Sequence, residues 1–120
     1  MANTFKNSIV ENVSNNATYA SQSTLVTCPT GDASKCVVIG MQLANKSSSE
    51  ITVTIGVKDN SAATDSDITF LNAVPIPANS VLSVLQGDKL ILEETDNLHA
   101  YASAASACNA FVNYLLIDTT

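Results

Sequence analysis

The sequence predicts one all-β domain, an antiparallel β-sandwich of Greek-key or jelly-roll type with seven to eight short strands spanning residues 1–120. Three observations predict it. Apolar and polar residues alternate at period two through several runs, the mark of strands with one buried face. Clusters of turn formers separate those runs at the short spacing of a sandwich. Ser, Thr and Asn number 14, 12 and 12 of the 120 residues, types that disfavour helix interiors and suit turns and the solvent side of strands.

Taken in order, the first predicted strands are Ser23 to Thr27 and Val37 to Leu43, with the turn-rich segment Pro29-Thr30-Gly31-Asp32-Ala33-Ser34-Lys35 between them. In the second, Val37, Ile39, Met41 and Leu43 are read as one face and Val38, Gly40, Gln42 and Ala44 as the other. The polar run Asn45 to Ser49 turns the chain into Glu50 to Lys58, where Ile51, Val53, Ile55 and Val57 take one face and Thr52, Thr54, Gly56 and Lys58 the other. Asp59 to Asp67 is a loop by composition. A strand follows through Ile68, Thr69, Phe70, Leu71 and Val74. Pro75-Ile76-Pro77 has no donor at either proline and reads as an extended connector.

Three short runs come next, Val81 to Leu85, Lys89 to Glu93 and Leu98 to Ala102, with turns at Gln86-Gly87-Asp88 and Thr95-Asp96-Asn97. Ala100 to Ala110 is alanine-rich, but too short and too interrupted by Ser and Asn for an independent helix, so it is read as strand, turn, strand. The last strand covers Asn109 to Ile117. Ala110, Val112, Tyr114 and Leu116 lie opposite Phe111, Asn113, Leu115 and Ile117, and apolar residues on both faces predict burial on both. One sandwich core covers only one of them. Phe111, Leu115 and Ile117 are therefore expected at an interface with another subunit.

Composition excludes several classes of function. Eleven acids face five lysines and no arginine, a formal charge of −6, so the basic face that nucleic-acid phosphates require is missing. No apolar run approaches the ~20 residues of a membrane-spanning helix. The opening Met1 to Asn7 lacks the basic-then-apolar order of a secretory signal, and the expectation is a protein made in a cytoplasm and not exported by that route.

Three cysteines do not make a disulfide scaffold. If Ser23 to Thr27 and Val37 to Leu43 pair as a hairpin, however, Cys28 and Cys36 face each other across it. A bond closing so short a loop contributes at most about 2.5 kcal/mol in the chain-entropy model, and two reduced thiols are the alternative. Cys108 lies in a separate region and is expected to stay unpaired. There is no Cys-x-x-Cys or His/Cys cluster, so no zinc site is expected.

Catalytic chemistry is thinly supplied. His99 is the one histidine, and a general-base role with Cys108 as nucleophile is weighed against a surface or interface histidine, which the absence of any surrounding motif favours. Asp59 to Asp67 offers oxygens to calcium but lacks the sixth-position glycine and terminal glutamate of an EF-hand loop. Glu93, Glu94 and Asp96 read as a charged rim, because strand neighbours point to opposite faces. No glycine-rich phosphate cradle exists. Three glycosylation sequons begin at Asn12, Asn16 and Asn45, as chance provides in a chain this rich in Asn, Ser and Thr. There is no Trp, and Tyr19, Tyr101, Tyr114 and the three Phe are too scattered for a sugar platform. No catalytic residue, cofactor or metal is expected.

The order of parts carries one further reading. The opening MANTFKN (Met1 to Asn7), the strand pair VVIGMQLANKSSSEITVTIGVKD (Val37 to Asp59) and the close from Pro75 to Asp118, PIPANSVLSVL, QGDKLILEETDNL and HAYASAASACNAFVNYLLID, resemble a group of small β-sandwich virion proteins of tailed bacteriophages. That group ends with a similar Lys-Leu-x-Leu-Glu strand, an acidic turn, a Ser-Ala-Ala-Ser segment and a last strand finishing Leu-x-Ile. This chain departs from the pattern at Cys28 to Cys36, where a shorter turn is expected. The resemblance implies a non-enzymatic structural part of a particle assembled in the host cytoplasm. Its leading form is a capsid decoration (cement) protein, with a trimer favoured, bound over joints between major capsid proteins. A neck, tail or fibre-associated component comes second, and a receptor- or carbohydrate-binding module third.

Overall fold

A computed structural model describes residues 2–16, 21–29, 35–59, 66–84 and 89–118. The described residues form nine strands: β1 (Ala2–Val10), β2 (Ser23–Thr27), β3 (Lys35–Asn45), β4 (Ile51–Asp59), β5 (Ser66–Ile76), β6 (Val81–Val84), β7 (Leu90–Glu93), β8 (Asn97–Ala102) and β9 (Cys108–Asp118). They form two antiparallel sheets. One runs β1-β9-β3-β6 with β7 also paired to β3, and the other runs β2-β8-β4-β5. We call them the β9 sheet and the β4 sheet.

β6 and β7 lie end to end along the same side of β3, β6 opposite Met41 to Ala44 and β7 opposite Lys35 to Val38. Counted as one interrupted strand, they give eight strand lines whose order is that of a jelly roll. The all-β sandwich expected from the alternation is therefore the observed fold.

Between the sheets lies one core. β4 supplies Ile51, Val53 and Ile55, β3 supplies Val38, Met41 and Leu43, β8 supplies Leu98, Ala100 and Ala102, and β9 supplies Ala110 and Val112, all at most 3% exposed. Tyr114 and Leu116 continue the inward row of β9, partly buried against that core. The Ala100 to Ala110 segment is strand, turn and strand, as read from its composition.

Asn45 joins the sheets at one end of the sandwich. Its amide donates to the carbonyls of Ser49 (2.8 Å), Ile76 (3.0 Å) and Pro77 (3.1 Å), while its Oδ1 accepts from the Ser47 N–H (2.9 Å) and hydroxyl (2.7 Å). A buried amide is tolerated there because both its donors and its acceptor are used. The sequon at Asn45 is thereby closed to a glycan.

Three expectations need correction, and one strand has no counterpart among them. β2 and β3 do not form a hairpin: β2 pairs with β8, and β3 lies in the other sheet between β9 and the β6/β7 line. In β3 a bulge between Val38 and Gly40 resets the alternation, so Cys36, Val38, Met41 and Leu43 point inward and Val37, Ile39 and Gln42 outward. Pro75 and Ile76 belong to β5, opposite Thr52 and Ile51; the missing N–H is tolerated because β5 is an edge strand. β1 was not anticipated. Its polar sequence gives weak alternation, and its pairing with β9 supplies what its own side chains do not signal. The calcium-like stretch 60–65, the turn at 86–88 and the segment 30–34 lie outside the described residues.

Candidate functional site

The three residues expected at an interface, Phe111, Leu115 and Ile117, all sit on the outer side of the β9 sheet, and strand register extends them into a band. Phe5 on β1 is opposite Leu115, Leu115 is opposite Val37 on β3, and Val37 is opposite Ile91 on β7. Directly opposite residues share a face, so these four form an apolar row across the whole sheet. A second row pairs Ile9 with Phe111, which faces Gln42. Between the rows lie Asn7 and Asn113, with Ile39 beside them at the bulge.

The band is open to solvent. Phe5 is 76% exposed, Ile9 61%, Ile91 60%, Ile39 39% and Phe111 38%, while Leu115 and Ile117 are half-buried by their cross-strand neighbours. A concavity of about 750 Å³ opens beside the bulge, lined by Phe5, Lys6, Asn7, Ile39, Asn113 and Tyr114. Gly40, at the bulge, lies opposite Asn113 in register. At one end of the band, Lys35 and Glu93 neutralise each other in an ion pair (3.4 Å).

The β4 sheet presents a different outer side. There Thr24, His99, Gly56 and Thr69 form one cross-strand row and Thr54 lies opposite Tyr101. His99 is only 3% exposed although it faces outward. Its ring packs against Gly56, where an added Cβ would stand 2.7 Å from Cε1, and its Nδ1 is hydrogen-bonded to Gln22 Oε1.

Cys108 points into the core, its thiol donating to the Asn109 carbonyl (3.7 Å), and burial pushes it up to about 11. The β4 sheet thus stands between His99 and Cys108. The base and nucleophile weighed from the sequence are not brought together.

Cys28 and Cys36, both at most 1% exposed, are in contact, although they belong to opposite sheets. The turn after β7 brings this about. Leu92 is opposite Cys36, and the following turn holds Cys28 through Cys28 N–H to the Asp96 carbonyl (2.9 Å) and Thr95 N–H to the Cys28 carbonyl (3.1 Å). Asp96, read as part of a charged rim, is instead 6% exposed and accepts the Glu93 N–H at Oδ2 (3.1 Å), closing that turn. Burial raises both thiols, Cys36 to about 12. Among the described residues no group of three or more His, Cys, Asp and Glu is placed to hold a metal ion.

No family model matches the chain, and no curated protein is similar to it. Among solved structures the chain is similar in fold to one titled "Structure of Eiger TNF from S. frugiperda", at 14% identity and a TM-score of 0.44, over 97% of this chain and 95% of that one. That similarity concerns the arrangement of strands alone.

Proposed function

We infer that the chain is a non-enzymatic structural protein of a phage virion, in its leading form a capsid decoration protein. On this reading it assembles with copies of itself through the outer side of the β9 sheet and stabilises joints between major capsid proteins. The observation that carries the reading is the exposed apolar band of Phe5, Ile9, Ile39, Ile91 and Phe111. Contiguous apolar surface of a few hundred Å² or more marks an interaction site on a soluble domain.

Charge favours a second copy as the occupant. The chain carries −6, so copies meeting at random repel, yet the described side chains of the band are apolar or amide, with Lys6 at the concavity, and the band ends on a neutralised Lys35–Glu93 pair. A basic partner would be met by acids on this face, and among the described residues the band offers only Glu93, which Lys35 neutralises. Four strand lines about 4.8 Å apart, along the length of the 11-residue β9, give a face of roughly 700 Å². That is close to the ~800 Å² per partner of a stable interface. The sequence resemblance to small phage virion proteins supplies the particle, and the jelly roll is a fold that viral shells use, which is support by analogy.

Counting copies per purified particle against the major capsid protein tests the reading. Hundreds of copies, lost together with capsid stability when the protein is omitted, are expected of a decoration protein. A few to dozens assign it to the neck or tail, and absence from particles overturns the structural role and favours a soluble binding module.

A further inference from the structure

We propose that Cys28 and Cys36 are an oxidative cross-linking site whose disulfide ties the two sheets together at the end of the sandwich opposite Asn45. The placement differs from the hairpin staple that the sequence suggests. Cys28 ends the β2 side of the β4 sheet and Cys36 opens β3 in the β9 sheet, so the bond joins strands that share no backbone ladder.

Four features position the pair. Leu92 and Leu116 flank Cys36 on its two sides in register, fixing its inward direction. Two backbone hydrogen bonds to the β7–β8 turn fix Cys28. Both are free, buried thiols within interaction distance of each other, and Tyr114 lies near both sulfurs. The third thiol is remote. Cys108 lies eight residues along β9 from Leu116, the partner of Cys36, about 26 Å at strand rise.

Either sulfur can open the exchange and the other complete it, with the same product. With a small-molecule disulfide such as oxidised glutathione as oxidant and Cys28 as the first to react, the Cys28 thiolate attacks one glutathione sulfur and breaks its S–S bond. One glutathione thiolate leaves and takes up the Cys28 proton. Cys36 then loses its proton and attacks Cys28 in the mixed disulfide, releasing the second glutathione as a thiol. Two protein thiols are oxidised and one glutathione disulfide is reduced to two thiols. Burial of both sulfurs makes the native reaction slow, and it keeps the pair reduced in a cytoplasm.

The test holds the full-length protein in glutathione buffers of graded ratio, quenches with acid, traps remaining thiols with N-ethylmaleimide in denaturant at near-neutral pH and maps peptides without reduction. In parallel, reduced and unfolded chain is refolded in the most oxidising buffer. The expected product is a single 28–36 bridge with Cys108 as a thiol, unaffected by Cys108→Ser. Cys28→Ser should remove it. Closing this loop raises the folded-to-unfolded ratio by up to about 70-fold in the chain-entropy model, read as a higher melting midpoint than that of the reduced protein. A bridge appearing on refolding but only slowly in the native protein supports the site and its burial. A bridge to Cys108, glutathione left on Cys28 without resolution, or three alkylatable thiols after oxidative refolding overturns it.

Discussion

Row for row, the outer side of the β9 sheet carries Phe5, Leu115, Val37 and Ile91 where the outer side of the β4 sheet carries Thr24, His99, Gly56 and Thr69. Both sheets bury their inner sides in the same core, so folding the monomer does not require the contrast. On the β4 side the Thr54 hydroxyl accepts the Ala73 N–H (3.0 Å), and the histidine is covered within the chain by Gln22. Exposed Phe and Ile side chains on the β9 side gain nothing from water, and each is worth up to about 1.5–3 kcal/mol when fully covered. An edge-to-edge apolar row with no intramolecular cover is the surface that the proposed assembly would use.

The largest effect is expected where the contrast is broken directly. Phe5→Asp or Ile91→Asp should weaken self-association by at least about 30-fold in gel filtration, as loss of an interface anchor does. The melting midpoint of the monomer should hardly move, because both side chains are exposed. Thr54→Asp, the matched change on the β4 side, should leave assembly unchanged. Leu115→Asp, half-buried, should impair assembly more than folding.

Gly56→Ala sharpens the contrast from the other side. A methyl 2.7 Å from the His99 ring must lift the imidazole off the sheet, at about 1–3 kcal/mol in denaturant unfolding, with association per folded molecule intact.

Alkaline pH probes the core that the two faces share. Cys36 and Cys108 keep their protons in the folded state to about 12 and about 11, against an ordinary value of 9.0. The folded protein therefore binds more protons than the unfolded chain above that value, and stability should fall as pH rises from 9.0 towards 11–12. Cys108→Ala should flatten that fall. The smallest effect is expected at Ala73, whose φ of 50° strains a Cβ in β5; Ala73→Gly should change the unfolding free energy by about 1 kcal/mol or less, in the stabilising direction.

Much of the sandwich was legible because β4 and β9 state their faces in plain alternation: Ile51, Val53 and Ile55 are buried, and Phe111 and Leu115 point away from Ala110 and Val112. The assembly band was legible only through β9. Phe5, Ile9, Val37 and Ile91 come from three other strands, and register between distant strands is not written in any one of them. The same limit explains the misplaced hairpin. Neighbouring β2 and β3 cross between sheets, as jelly-roll strands do, and Cys28 meets Cys36 through the β7–β8 turn some sixty residues away in sequence. Gly56 looked like an ordinary solvent-side position because the ring it accommodates arrives from β8.

Sedimentation equilibrium of the reduced wild-type protein and of Phe5→Asp over a range of concentrations tests the central claim most directly. Wild type is expected to associate into a closed oligomer, a trimer in its leading form, and Phe5→Asp to sediment as the folded 12.5 kDa monomer. A wild type that stays monomeric at high concentration, or a Phe5→Asp variant that associates as tightly as wild type, would contradict it.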